Sequence, residues 1–419
     1  MGTKTKGFHY GYLIVLTGIV MCIGPSALAL SCAGIFYTPV CDDLGVGKGT
    51  LALYMTVMYL TVALFLPFAG KLFATKDARV CLSAAVVSVS VALMAMSFYT
   101  EVWQFYISGF LLGLGITFLM FIAVPTLIDR WFKKRVGFFV GICMAFTGVG
   151  GVIFNPIGGW IIADFGWRTG YLAFGIIALV LALPFTLFVV RSNPSDKGLR
   201  PFGAEEVSES KPTAVVVEGV PVKAAMWSLP FILVALFAGF ADLVTCIYNY
   251  LPSYVNTLAV SEAVPTIAAT IASAVMLGQA IGKVTMGALA DKSTRGGLMF
   301  GVICGLLGVG ILFLVPQNAP IILVAAFLYG LYYANGSVYI PLLTRSVFGS
   351  LDYSLIYSRV SVFANLCLAF GSSMWGFVID GVGYNAMFVG ALTLVVLSLL
   401  VGWFALNQAK KLPRESREV

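Results

Sequence analysis

The feature that most constrains this chain is a succession of apolar runs, each long enough to cross a bilayer as a helix. A crossing needs about 20 apolar residues. Twelve such runs occupy residues 12–37, 51–73, 79–98, 103–128, 136–162, 170–190, 229–254, 264–287, 297–315, 320–344, 354–379 and 384–406. Polar or turn-rich stretches, such as 38–50 and 316–319, divide them. Only 10% of the 419 residues are charged and 60% are hydrophobic. A soluble domain holds about 25% charged and about 45–50% apolar residues. So little polar surface cannot coat a globule of this length, and single soluble cores stop growing near about 250–300 residues. A cytosolic enzyme, a nucleic-acid binder, a disulfide scaffold and a disordered chain are excluded. The expected fold is all-α and integral to a membrane, with twelve transmembrane helices.

The eight cysteines, Cys22, Cys32, Cys41, Cys81, Cys143, Cys246, Cys304 and Cys367, include no C-x-x-C pair. Nearly all lie inside apolar runs and read as small buried side chains. The single histidine is His9, which leaves nothing to build a His-based triad or a metal centre. No cofactor and no enzyme activity are expected. Residues 1–9 are polar and the run after them has no A-x-A site behind it. That run reads as a retained span.

One long polar segment, 192–222, divides the runs six and six. The expected organisation is an N-terminal six-helix bundle (1–191), a cytoplasmic linker (192–228) and a C-terminal six-helix bundle (229–419). With the N-terminus inside, 21 of the 25 Lys and Arg fall in inner segments. Lys48 and Arg168 alone lie in outer loops, and Lys283 and Arg359 lie within spans. By the positive-inside rule both termini face the cytoplasm, and the expected location is the plasma or inner membrane. The net charge of +7 is then a topology signal and needs no nucleic acid.

The halves match at a constant offset of 217 residues. Gly70-Lys71-Leu72 falls on Gly287-Ala288-Leu289, Gly113 on Gly330, and Gly166-Trp167 on Gly383-Tyr384. Two parallel six-helix repeats are a transporter plan, with the site between halves near the midplane. The plan is complete in one chain, so a monomer is expected.

The stretch Gly287-Ala288-Leu289-Ala290-Asp291-Lys292-Ser293-Thr294-Arg295 resembles the loop signature of the major facilitator superfamily, G-x-L-A-D-[KR]-x-x-[KR]. It lies between spans 8 and 9, as that family requires. The first-half counterpart opens at Gly70 and departs at Ala74, where the family has Asp. The resemblance implies gating roles for Gly70, Gly287, Asp291 and Arg295. Trp131-Phe132-Lys133-Lys134-Arg135, followed by Phe165-Gly166-Trp167-Arg168, is similar to the monocarboxylate porter and oxalate–formate antiporter branch. That likeness implies a carrier of small organic anions. Asn155-Pro156-Ile157-Gly158-Gly159 loosely resembles a span-5 motif of antiporters. The same residues also suit a closely packed helix that bends at Pro156.

A charge inside a span costs at least about 2.5–3.5 kcal/mol, so each one needs a reason. Arg359 lies early in span 11, Lys283 about one turn before the inner end of span 8, and Asp242 midway along span 7. The planar fork of Arg359 suits a carboxylate, and the resembled branch has a basic residue there that meets the anion. Lys283 stands where that branch has an Arg, and Gln279 where some proton-coupled members have an Asp. Arg359 and Lys283 can alternatively snorkel to the interface. Asp242 suits a proton carrier, the partner of one of these cations, or a contact to a cationic solute. Tyr248, Asn249, Tyr332 and Tyr357 add hydroxyls and an amide that can orient a polar solute or simply bond between helices.

The expected function is alternating-access transport of small mono- or dicarboxylates, proton-coupled or by exchange with a counter-anion. Arg359, Lys283, Gln279, Tyr248, Asn249, Tyr332 and Tyr357 are the expected solute contacts, with Asp242 as the coupling group. The rival expectation is export of amphipathic drugs or organic cations by proton antiport.

Overall fold

A computed structural model of the chain describes residues 9–203, 216–259, 266–315 and 317–418. The basic residues Lys4, Lys6 and Lys211 lie outside it, as does the side chain of Asp291. Eleven helical elements are long and apolar enough to cross a membrane among the described residues. One of them, Val136–Val189, runs for 54 residues and breaks at Gly166, whose φ of 81° is left-handed. A side chain is strained in that region and glycine is not. Gly166 therefore turns the chain between spans 5 and 6, and twelve spans result. The others are span 1 (Gly11–Leu44), span 2 (Lys48–Thr75), span 3 (Ala78–Met96), span 4 (Val102–Trp131), span 7 (Leu229–Asn256), span 8 (Ile267–Lys292), span 9 (Thr294–Leu314), span 10 (Ala319–Phe348), span 11 (Tyr353–Val382) and span 12 (Tyr384–Gln408).

Two boundaries differ from the hydropathy reading. Span 1 continues past Thr38 to Leu44 and carries Asp42 and Asp43 on its last turn. Span 8 continues five residues past 287, through the loop signature, to Lys292. Hydropathy falls where polar side chains begin, but the backbone ladder continues, because those side chains reach water at the membrane edge.

Spans 1, 3, 5, 7, 9 and 11 start at the end of the bundle that carries most of the Lys and Arg, called here the basic end. Close helix packing fixes each half. In the C-terminal half, spans 8 and 10 cross with Gly278 facing Gly330. A Cβ on Gly330 would stand 2.2 Å from the Val275 carbonyl oxygen. Backbone cannot yield like a side chain, so Gly330→Ala is expected to cost about 1–3 kcal/mol as an overpacking lesion. A lowered thermal midpoint of the purified variant is the check.

The linker is tied to both halves at the basic end. Phe202 N–H donates to Trp131 O at 2.8 Å, and Lys133 N–H donates to Phe202 O at 2.9 Å. Beyond residue 215, strand β1 (Val216–Gly219) pairs antiparallel with β2 (Glu415–Glu418) of the C-terminal tail. Val220 N–H then reaches Phe348 O at 2.8 Å.

The halves meet from the midplane toward the end opposite the basic one. Thr38 Oγ1 donates to Ser253 Oγ at 2.7 Å, Thr56 and Ser373 hydroxyls lie 3.0 Å apart, and Ser273 Oγ donates to Val152 O at 3.2 Å. Toward the basic end, beyond Lys283 and Met144, no hydrogen bond joins the spans of the two halves among the described residues. The halves are thus bonded from the midplane to the far end and parted at the basic end.

Candidate functional site

A site between the halves must lie near mid-membrane and be reachable through the parted end. Asp242 and Lys283 meet the first condition. Asp242 is the fourteenth residue of the 28-residue span 7. Lys283 lies nine residues inside the basic end of span 8, about 13 Å at 1.5 Å per residue. The apolar span itself runs to Ala290, so Lys283 sits about two turns inside it, against the one turn expected from sequence. Its side chain is part-buried and points across the divide, with Nζ 3.5 Å from Met144 O of span 5. It also lies within electrostatic reach of Cys22 of span 1. The snorkelling alternative for Lys283 does not match this direction.

Asp242 is 8% exposed. No hydrogen bond or ion pair to its carboxylate is found among the described residues, so it is not paired with Lys283 or Arg359. Space for the carboxylate comes from Gly336 of span 10, where a Cβ would stand 2.6 Å from Oδ1. Tyr59, Tyr333 and Tyr357 lie within electrostatic reach of it. These come from spans 2, 10 and 11, so the carboxylate is approached from both halves.

Gln279 is buried one turn above Lys283, and its Oε1 has no hydrogen-bond partner among the described residues. It faces Gly148 of span 5, where a Cβ would stand 2.9 Å from Oε1. Tyr248 ties the halves together. Its hydroxyl donates to Ser31 O of span 1 and accepts from Asn155 Nδ2 at 3.3 Å. Asn155, in the antiporter-like stretch, is fully buried in this cross-half bond.

Tyr332 is buried with its ring against Gly305 of span 9, and it too lies within electrostatic reach of Asp242. Two expected contacts lie elsewhere. Asn249 Nδ2 donates to Ser372 Oγ of span 11 at 2.8 Å, so its amide is used within its own half. Arg359 is exposed and has no partner among the described residues. One turn further on, Phe363 packs on Gly239 of span 7. Arg359 does not join Lys283.

Of the expected gating residues, Gly70 has open space around it, and Gly287 meets only Val338 at van der Waals distance. Arg295 donates to Asn407 Oδ1 at 2.8 Å and lies over the Trp403 ring. Both partners are on or beside span 12, so Arg295 is held within its half. Tyr333 belongs to the span-10 tyrosines that the sequence already offers as solute contacts, whereas Tyr59 was not among the candidates. A tyrosine in an apolar run reads equally as an interfacial anchor, so only the packing finds Tyr59. No group of three or more His, Cys, Asp or Glu that could hold a metal ion occurs among the described residues.

Two six-helix halves with charged side chains along the divide between them are the plan of a multi-pass membrane transporter. The sequence model of the Major Facilitator Superfamily matches residues 19–275 and 261–419, and the chain belongs to that family. Monocarboxylate transporter 12 of Rattus norvegicus is 24% identical over 348 residues, covering 77% of this chain and 70% of that one. The multidrug resistance protein MdtG of Escherichia coli is also 24% identical, over 395 residues and 90% of each chain. The uncharacterized transporter ESBP6 of Saccharomyces cerevisiae is 28% identical over 210 residues, and the match spans only 29% of its length. Among solved structures, a bacterial homologue of the human lysosomal transporter Spinster, inward-facing and unoccupied, superposes with a TM-score of 0.68 at 15% identity over 98% of both chains. The family and fold imply a transporter and not an enzyme.

Proposed function

We propose that this protein carries small organic anions, mono- or dicarboxylates, across the plasma or inner membrane by alternating access. The observation that carries this reading is Lys283. Its ammonium is held between the halves near mid-membrane, and its one hydrogen bond among the described residues is a 3.5 Å approach to a carbonyl oxygen. A cation in that position stabilises an anion that enters beside it, and the cost of leaving it without a full partner favours loading. Gln279 and Tyr333 orient the solute, and Asp242 takes up and releases the coupling proton. The basic end faces the cytoplasm by its Lys and Arg excess, so the parted end opens inward. The monocarboxylate relative supports the anion class. The test is counterflow of radiolabelled mono- and dicarboxylates into proteoliposomes loaded with the same solute; no counterflow of any carboxylate would contradict the reading.

Arg359 has a separate role in this scheme. Exposed toward the parted basic end of span 11, it draws anions toward the mouth. Arg359→Gln is therefore expected to raise the KM for carboxylates by about tenfold, the effect of roughly 1.4 kcal/mol, with less effect on saturated flux. Initial rates against solute concentration check this.

A second reading, export of organic cations by proton antiport, is favoured by one observation. Asp242 is a buried carboxylate among phenol rings with no partner among the described residues. Such a group attracts a lipophilic cation, and MdtG is a multidrug resistance protein.

A further inference from the structure

Span 2 starts without a cap of its own. Its N-cap residue is Gly47, which has no side chain to accept from the first free N–H groups. The cap comes from the other half of the molecule. Asp380, near the end of span 11, accepts from Lys48 N–H at 3.1 Å through Oδ1 and from Gly49 N–H at 2.8 Å through Oδ2. We infer that Asp380 is the releasable clasp that holds the far gate shut, by capping the N-terminus of span 2 only while the halves are closed there.

Three further observations support a clasp over a passive contact. First, Asp380 lies two residues from the C-terminus of its own helix, Tyr353–Val382. A carboxylate is disfavoured beside that negative dipole end and favoured at the positive end of span 2. The charge is therefore better placed closed than open. Second, the helices touch through backbone. A Cβ on Gly376 would stand 2.5 Å from Gly49 Cα, and one on Gly49 would stand 2.6 Å from Phe377 N. Small residues at both positions let the two ends seat and part without interlocked side chains. Third, the contact sits at the membrane edge, where water replaces the bonds at low cost on release. The other closing bonds nearby are neutral hydroxyl pairs, Thr38 with Ser253 and Thr56 with Ser373. The clasp is one-sided: at the repeat offset, Asp380 falls on Ala163.

The test reads opening of the far gate with no solute present, so it stands apart from the anion assignment. Ser253 is 1% exposed at the far end of span 7, where it bonds to Thr38 across the divide, and every variant is therefore compared in the same Ser253→Cys background. A Ser253→Cys protein is treated with a membrane-impermeant maleimide from the far side, and the labelling rate above the Ser253 parent follows the open fraction. Asp380→Asn is expected to speed labelling about 2- to 30-fold, the range for a helix-end charge. Gly47→Ala should do the same with Asp380 intact, since its Cβ would stand 2.6 Å from Oδ2 and push the carboxylate off. Asp380→Ala with Gly47→Ser gives span 2 its own cap. It should keep the fast labelling while recovering the thermal midpoint, which separates the tie between halves from helix stability. Unchanged labelling in Asp380→Asn and Gly47→Ala would overturn the inference, as would slow labelling restored by Gly47→Ser.

Discussion

Carboxylate counterflow by Lys283→Gln is expected to fall at least about 30-fold below wild type. Truncating one partner of a buried charge pair costs about 2–5 kcal/mol, and 1.4 kcal/mol is about tenfold. Glutamine keeps much of the stem that packs along span 8, so the loss is one of charge. It still offers an N–H toward the Met144 carbonyl that Nζ approaches at 3.5 Å. The variant should therefore insert, purify and melt close to wild type. Lys283→Arg keeps the charge and is expected to retain a measurable fraction of counterflow, with altered preference between mono- and dicarboxylates, because its fork binds two oxygens at once. Wild-type counterflow in Lys283→Gln would remove the anion site from this position.

Asp242→Asn is expected to separate coupling from carriage. Asparagine fills the same space against Gly336 but cannot load a proton. If Asp242 is the coupling group, uptake driven by an imposed pH gradient should fall about 5- to 150-fold, the usual span of a coupling free energy. Counterflow at equal pH, which needs no net proton movement, should stay within a few-fold. Parallel loss of both activities would make Asp242 a solute contact and favour the cation reading. Full retention of gradient-driven uptake would leave it without a transport role.

The spans themselves were legible because each apolar run is about long enough to cross a bilayer, and nothing but a helix of that length is stable in lipid. The turn between spans 5 and 6 was legible through Gly166-Trp167-Arg168, and Gly166 carries the left-handed φ that only glycine adopts freely. Depth was less legible. Lys283 read as near an interface because the apolar run stops at 287, whereas the helix goes on to Lys292. Direction was not legible at all. In a membrane bundle the lipid-facing and protein-facing sides are both apolar, so hydropathy carries little periodicity. Nothing in the sequence says that Tyr332 packs its ring on span 9, or that Arg359 stays exposed. The Asp380 cap was hidden for a different reason. A helix start is normally read from its own preceding residues, and here the capping carboxylate is 332 positions away from Lys48.

The most direct test of the central claim is thermal melting of the purified protein against a panel of carboxylates and lipophilic cations. A ligand that binds only the folded state raises the midpoint by mass action, by about 2.7 kcal/mol of stability at a hundred times its Kd. At least one carboxylate is expected to stabilise wild type and to lose that effect in Lys283→Gln, with cations neutral. Stabilisation by cations alone, abolished in Asp242→Asn and untouched in Lys283→Gln, would contradict the anion-carrier reading and establish the exporter in its place.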